Sequence, residues 1–185
     1  YNKTINPASL PVSHQNLAIE QAAARQVMRL AVGRSLYGWP TDVIYPLPGT
    51  VPWFDRILLS GSTLSGAPRL EQSLSMVLDA VQPVGVASII LDQNNLAASL
   101  GAIAELNPLL SVQVLESELF LNLGTVITPV GKWRPDSTIL RVQMVIDGQK
   151  QPVVEVQDGS LVTLPLEPGK PADNYVKTLQ NVDID

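Results

Sequence analysis

Between Ser60 and Gly66 the chain sets four hydroxyl side chains and two glycines within seven residues, Ser60-Gly61-Ser62-Thr63-Leu64-Ser65-Gly66. Such a run can offer backbone N–H groups and hydroxyls to a nucleotide. Glycine permits close backbone approach, and the start of a following helix favours an anion. It is not a P-loop, because no Gly-Lys-Ser/Thr triplet follows. Read without other information, Gly61 and Gly66 are equally ordinary turn residues.

The carboxylates give no acid/base pair at a recognisable spacing. Asp92 ends an apolar run, where open α/β sheets place ligand sites. Two roles are open for it: acceptor for a metal-bound water, or cap of the turn or helix that follows, which is the commoner use. Asp79 stands near the end of a helical pattern, placed for a backbone N–H or an arginine. Glu71 and Glu105 read as solvated helix residues, and Glu116 and Glu118 as solvated residues beside a strand end. His14 is the single histidine, at a helix start, so a Ser-His-Asp triad or a histidine-based metal site has little to build on. Lys132 and Arg134 flank Trp133 after Gly131; they suit a partner contact, or the tryptophan packs over a hairpin. With no cysteine there is no disulfide, thiolate metal site or thiol nucleophile.

These residues need elements to hold them. A helix is expected from Ser13 as N-cap to Gly33, with Leu17, Ala24, Val27, Met28 and Ala31 recurring at helical spacing. Residues 1–12, broken by Pro7 and Pro11, read as an extended lead-in. Residues 34–54, with Pro40, Pro46, Pro48 and Pro52 and with Trp39 and Trp53 near the ends, read as a long connection over the surface. Then the pattern becomes regular: a buried strand at 56–60, the Gly-rich turn, a helix over 68–81 with Leu70, Leu74, Val77, Leu78 and Val81 on one face, a strand at 86–92, a helix at 96–106 stopped by Asn107-Pro108, and a short third strand at 112–115. Strand alternating with helix predicts a parallel α/β layer. In the last third, alternating β-branched runs at 125–130, 138–146, 153–157 and 161–164 are separated by Asp147-Gly148 and Asp158-Gly159. They predict an antiparallel β-meander, with Leu140, Val142, Met144 and Ile146 inward and Arg141 and Gln143 outward. The tail from Pro165 is expected to fray. The fold class is therefore α/β, with a layer over 1–120 and a β-rich extension over 121–185 packed on it.

Composition narrows the partners. Charged residues are 16% of 185 and apolar residues 45%, with a net charge of -5. Charged residues usually reach about a quarter of a globular domain, so the deficit leaves room for an apolar face that meets other chain. Twelve scattered basic residues form no stripe, which argues against nucleic acid. No apolar run approaches the roughly 20 residues of a membrane span. The start at Tyr1-Asn2-Lys3-Thr4 reads as a cut into a longer chain, and the lack of cysteine suits a cytoplasmic setting.

One resemblance adds to this. Ile57-Leu58-Leu59-Ser60-Gly61-Ser62-Thr63-Leu64-Ser65-Gly66-Ala67-Pro68, Asp79-Ala80-Val81-Gln82-Pro83-Val84-Gly85-Val86, Asn107-Pro108-Leu109 and Leu123-Gly124-Thr125-Val126-Ile127-Thr128-Pro129-Val130-Gly131 follow in order. Over about residues 13–170 the chain resembles the C-terminal half of the glutamate mutase accessory, reactivase-like family. That family is similar to the superfamily of actin, sugar kinases and heat-shock chaperone ATPases. The resemblance implies an actin-like half, with ATP and magnesium bound in the intact protein and Ser60, Gly61, Ser62, Thr63 and Gly66 against the nucleotide. It implies as partners the missing N-terminal half and a cobalamin-dependent mutase whose damaged cofactor is exchanged, with a homo-oligomer as a further form. Two departures stand out: the superfamily's Asp-x-Gly phosphate hairpin is absent, and Ser60-Gly61 replaces the usual Gly-Gly pair. The alternative is a non-catalytic interaction module that binds no nucleotide, its surface made by the meander and the Pro-rich connection.

Overall fold

The computed structural model describes residues 5–6, 9–39, 45–166, 172–179 and 181–184. The expected lead-in around Pro7, the centre of the Pro-rich connection at 40–44 and part of the tail lie outside the described residues. No helix among the described residues is long and apolar enough to cross a membrane. The chain forms two compact units, Tyr1–Ile127 and Thr128–Asp185.

In the first unit, helix α1 (His14–Ser35) begins where Ser13, in an extended conformation, accepts the Asn16 N–H at 3.2 Å. Ala24 and Met28 of α1 pack against the core, while Val27 is exposed. A single 3-10 turn, Leu36–Gly38, leads to Trp39, whose ring meets Phe54 edge-on at 5.5 Å. Strand β1 (Arg56–Leu59) is followed by a one-turn helix α2 (Ser62–Ser65) and by α3 (Leu70–Val81). The Gln72 side chain closes the start of α3 by accepting the Arg69 N–H, and Gln82 in the left-handed region closes its end. Strand β2 (Gly85–Asp92) then pairs in parallel with β1, Leu59 opposite Leu91.

The fully buried stripe of α3 is Ser73, Met76, Val77 and Ala80; of the expected face, Val77 is buried, Leu74 and Val81 pack partly buried against the same core, and Leu70 is exposed. Burial of Ser73 is possible because its hydroxyl donates to the Leu64 carbonyl at 2.7 Å. Leu59, Leu64, Met76, Val77, Ile89 and Leu91 make the core between this helix layer and the sheet.

Helices α4 (Ala97–Ala104) and α5 (Pro108–Leu115) follow β2. The expected strand at 112–115 is the end of α5. Asn107-Pro108 stops one helix and starts the next: the Asn107 Oδ1 accepts the Leu110 N–H at 3.1 Å, and proline at the first helical position needs no acceptor. The third strand is β3 (Phe120–Thr128), beside β2 in the order β1-β2-β3. The Gln93 N–H donates to Leu119, while Ser88 meets Thr125 further along. Position thus falls on one strand as it rises on the other, so β3 runs antiparallel to β2. The expected all-parallel order gives way to a mixed sheet.

Among the described residues of the second unit, every regular element is a strand. Strand β4 (Val130–Lys132) leads to β5 (Thr138–Ile146), which the pattern placed correctly, with Leu140, Val142 and Met144 buried and Arg141 exposed. Asp147-Gly148, both at positive φ, turns the chain into β6 (Gln149–Lys150), and β7 (Val154–Gln157) pairs with the other end of the same edge of β5. Residues 161–164, expected as a strand, belong to none. The opposite edge of β5 is filled by β8 (Ala172–Thr178), antiparallel over seven residues, and β9 (Asn181–Asp183) pairs with β4. The tail expected to fray therefore supplies two strands. Its sequence is polar because β8 is mostly exposed, and exposure removes the apolar alternation on which strand prediction rests.

Candidate functional site

The carboxyl ends of parallel strands β1 and β2 bring the Gly-rich turn and Asp92 together. Asp92 is fully buried. Its Oδ1 accepts the N–H groups of Leu96 at 2.9 Å and Asn94 at 3.3 Å. Its Oδ2 accepts the Ala97 N–H at 2.8 Å and the Ser60 hydroxyl at 3.0 Å. A carboxylate has about four acceptor positions, and all four are filled from within the chain. Burial pushes the Asp92 carboxyl up, but the bonds from Leu96, Ala97, Ser60 and Asn94 together outweigh it and hold the group below the usual carboxylate range. Of its two expected roles, Asp92 performs the cap: it secures the start of α4 and holds no lone pair in reserve for a metal-bound water.

Asn95 is a member of this cluster that the sequence pattern does not single out. It sits at φ 57, a left-handed conformation that asparagine tolerates better than most residues. From there its Oδ1 accepts the Gly61 N–H at 2.7 Å. Gly61 itself is at φ +115, where side chains are strained, although a Cβ there would meet nothing within 4 Å. Gly66 is demanded by space instead, since a Cβ would lie 2.7 Å from the Ser62 carbonyl oxygen. Asp92 and Asn95 thus clamp the first half of the turn to the end of the neighbouring strand. An Asn three residues after a strand-ending Asp is too common a pattern to have revealed this from sequence.

The five expected nucleotide contacts divide in two. Ser60 and Gly61 direct their hydroxyl and N–H into the clamp. Ser62, Thr63 and Gly66 line a separate hollow of about 110 Å³ that Leu17 and Gln21 of α1 also line. The Gln21 Nε2 is buried there without a hydrogen-bond partner.

The remaining candidates are dispersed. Asp79 receives Arg25 at 2.7 Å, an ion pair joining α3 to α1 on the exposed side. His14, Glu71, Glu105, Glu116, Glu118, Lys132 and Arg134 are exposed. The Trp133 indole N–H donates to Asp158 at 2.7 Å, which pins the turn at Asp158-Gly159 back to the tryptophan.

Magnesium and ATP can be tested against these residues. Asp92 is saturated, and among the described residues no three His, Cys, Asp or Glu side chains gather as a metal site would require. The hollow is well below the roughly 300–1,000 Å³ of ordinary ligand pockets. These residues alone do not fit magnesium or enclose ATP. No family model, no curated protein and no solved structure matches the chain.

Proposed function

We propose that the chain is the non-catalytic half of a nucleotide-binding accessory protein, in which the Ser60–Gly66 turn forms one wall of a cleft completed by other chain. The observation that carries this reading is the clamp. A turn with Gly61 at φ +115 is held by Asp92 and Asn95 across the carboxyl ends of two parallel strands, the position at which open α/β sheets receive ligands. A wall fixed before binding lowers the ordering cost of the complex. Because Ser60 and Gly61 are committed to the clamp, contact with the ligand falls to Ser62, Thr63 and the open backbone beside Gly61. The β1-α3-β2 crossover is, in this reading, part of an actin-like half. The resemblance to reactivase-like proteins supplies the biological setting, an ATP-dependent exchange of damaged cofactor on a cobalamin-dependent mutase.

The test is titration calorimetry with ATP and magnesium on three samples: the 185-residue chain, a longer form of it that includes upstream sequence with the Gly-rich phosphate hairpin this reading requires, and that form with Thr63→Ala or Gly61→Val. The expected result is weak or no binding by the chain alone, clear binding by the longer form, and about tenfold weaker binding by the variants, a loss of roughly 1.4 kcal/mol. Melting curves separate lost contacts from lost fold. Negligible binding by all samples rejects the nucleotide reading.

A further inference from the structure

Helix α5 is built inside out. Its one buried residue is Ser111, whose hydroxyl reaches the Leu100 carbonyl of α4 at 3.3 Å. Leu109, on the opposite side by helical geometry, is 66% exposed, and Val112, on the flank between them, is 48% exposed. Leu110 and Leu115 flank them, and Leu106 in the turn between α4 and α5 is 86% exposed. An apolar helix at a surface marks a contact face. Five such side chains together present on the order of 400 Å² of apolar surface, comparable with the largest patch on an ordinary monomer.

The charges that the surrounding segment contributes to this face are of one sign. From Leu70 to Gly131 the sequence contains no Lys and no Arg. Glu105 before α5, and Glu116 and Glu118 after it, are all exposed, so the apolar face has acid at both ends. A second copy laid antiparallel on the same face would set Glu105 against Glu116 and Glu118, like charge against like. An anionic lipid surface would meet the same repulsion. A partner with basic residues beside its own apolar stripe would meet attraction at both ends.

We propose that the outward face of the α4–α5 hairpin docks a protein partner presenting an apolar helix face bordered by Lys or Arg. Leu109 and Val112 form the centre of the contact, and Glu105, Glu116 and Glu118 set its charge preference. This is independent of the nucleotide reading, since the face does not include the Ser60–Gly66 turn.

The test uses the full chain and two labelled 18-residue amphipathic peptides, one of Leu and Lys and one of Leu and Glu, followed by fluorescence anisotropy. The expected result is about tenfold tighter binding of the Leu/Lys peptide near 0.05 M salt, a preference that shrinks at about 0.5 M. The combined variant L109Q/V112Q should weaken that binding about tenfold, with an unchanged circular dichroism spectrum because both side chains are already exposed. The variant E105K/E116K/E118K should reverse the preference between peptides. Equal affinity for the two peptides, or indifference to L109Q/V112Q, overturns the proposal. Sedimentation showing a dimer that L109Q/V112Q dissociates overturns it in favour of a second copy, and binding to zwitterionic vesicles abolished by the same variant overturns it in favour of a membrane.

Discussion

Asp92 shows how a residue that looks reactive becomes structural. A strand-ending aspartate is a fair candidate for chemistry, but three N–H groups and one hydroxyl use every acceptor position it has. Asp92→Asn replaces one oxygen by an N–H donor facing other donors, so a loss of about 2–3 kcal/mol of stability is expected. Its pH dependence follows from the lowered pKa of the folded state. A carboxyl that is more acidic folded than unfolded stabilises fully above its unfolded value and loses that contribution as pH falls through the folded one. Urea unfolding should therefore show a constant gap between wild type and Asp92→Asn from about pH 7 to 5, narrowing below about pH 4. A gap that persists unchanged at pH 3 would refute the ionic origin. Gly61 makes a second residue-scale test. Since a Cβ there meets nothing within 4 Å, strain from φ +115 is the cost of Gly61→Ala, about 1–3 kcal/mol, and the β-branched Gly61→Val should lose more. The cap role of Asp92 was legible from sequence because it is local. Its partner Ser60 lies 32 residues before, and Asn95 reaches Gly61 across 34 residues, so both contacts depend on the pairing of β1 with β2.

At the scale of elements, the legible parts were those whose local signals agreed. Ser13 before a helical run, the apolar strands at 56–59 and 85–92, and the alternation along β5 all appeared where composition placed them. The errors fell where one signal had two readings. Val112 to Leu115 is too short a run to separate strand from helix by periodicity, and Asn107-Pro108 serves both as stop and as start. Strand β8 was missed because its pairing with β5 rests on backbone bonds, which leave no apolar trace in an exposed strand. Its presence gives β5 hydrogen-bonding partners on both edges, so within Thr128–Asp185 the amides of Leu140, Val142 and Met144 should exchange slowest with solvent. Faster exchange there than in β7 would contradict the pairing. The link between α1 and α3 should behave differently. Arg25 and Asp79 are each about half exposed, so Arg25→Ala should cost less than about 1 kcal/mol and the loss should fade in salt, whereas Met28→Ala, which removes core packing, should cost more and be insensitive to salt.

For the whole molecule, the question is what a chain with this charge distribution can do to a phosphate ester. Transfer of a phosphoryl group is catalysed mainly by position and by cations held against the equatorial oxygens, whether Lys, Arg or magnesium. The net charge is -5, and no Lys or Arg occurs from Leu70 to Gly131, a span that includes β2, Asp92 and the start of α4. Arg25 is engaged by Asp79, and Asp92 has no lone pair left to hold a metal. The stretch that carries Asp92 supplies no Lys or Arg for the charge that a transition state would need. We therefore expect the 185-residue chain, with ATP and magnesium, to release phosphate at the background rate in a steady-state assay, and Asp92→Asn to leave that rate unchanged. Turnover that survives purification and disappears in Asp92→Asn while the variant remains folded by circular dichroism would mean that Asp92 acts on a bound nucleotide after all. In that event the four internal hydrogen bonds would have to open during the reaction, and amide exchange at Leu96 and Ala97 would accelerate on adding ATP. If phosphate release stays at background and those amides stay protected, the clamp is a fixed part of the fold and Asp92 acts on no nucleotide.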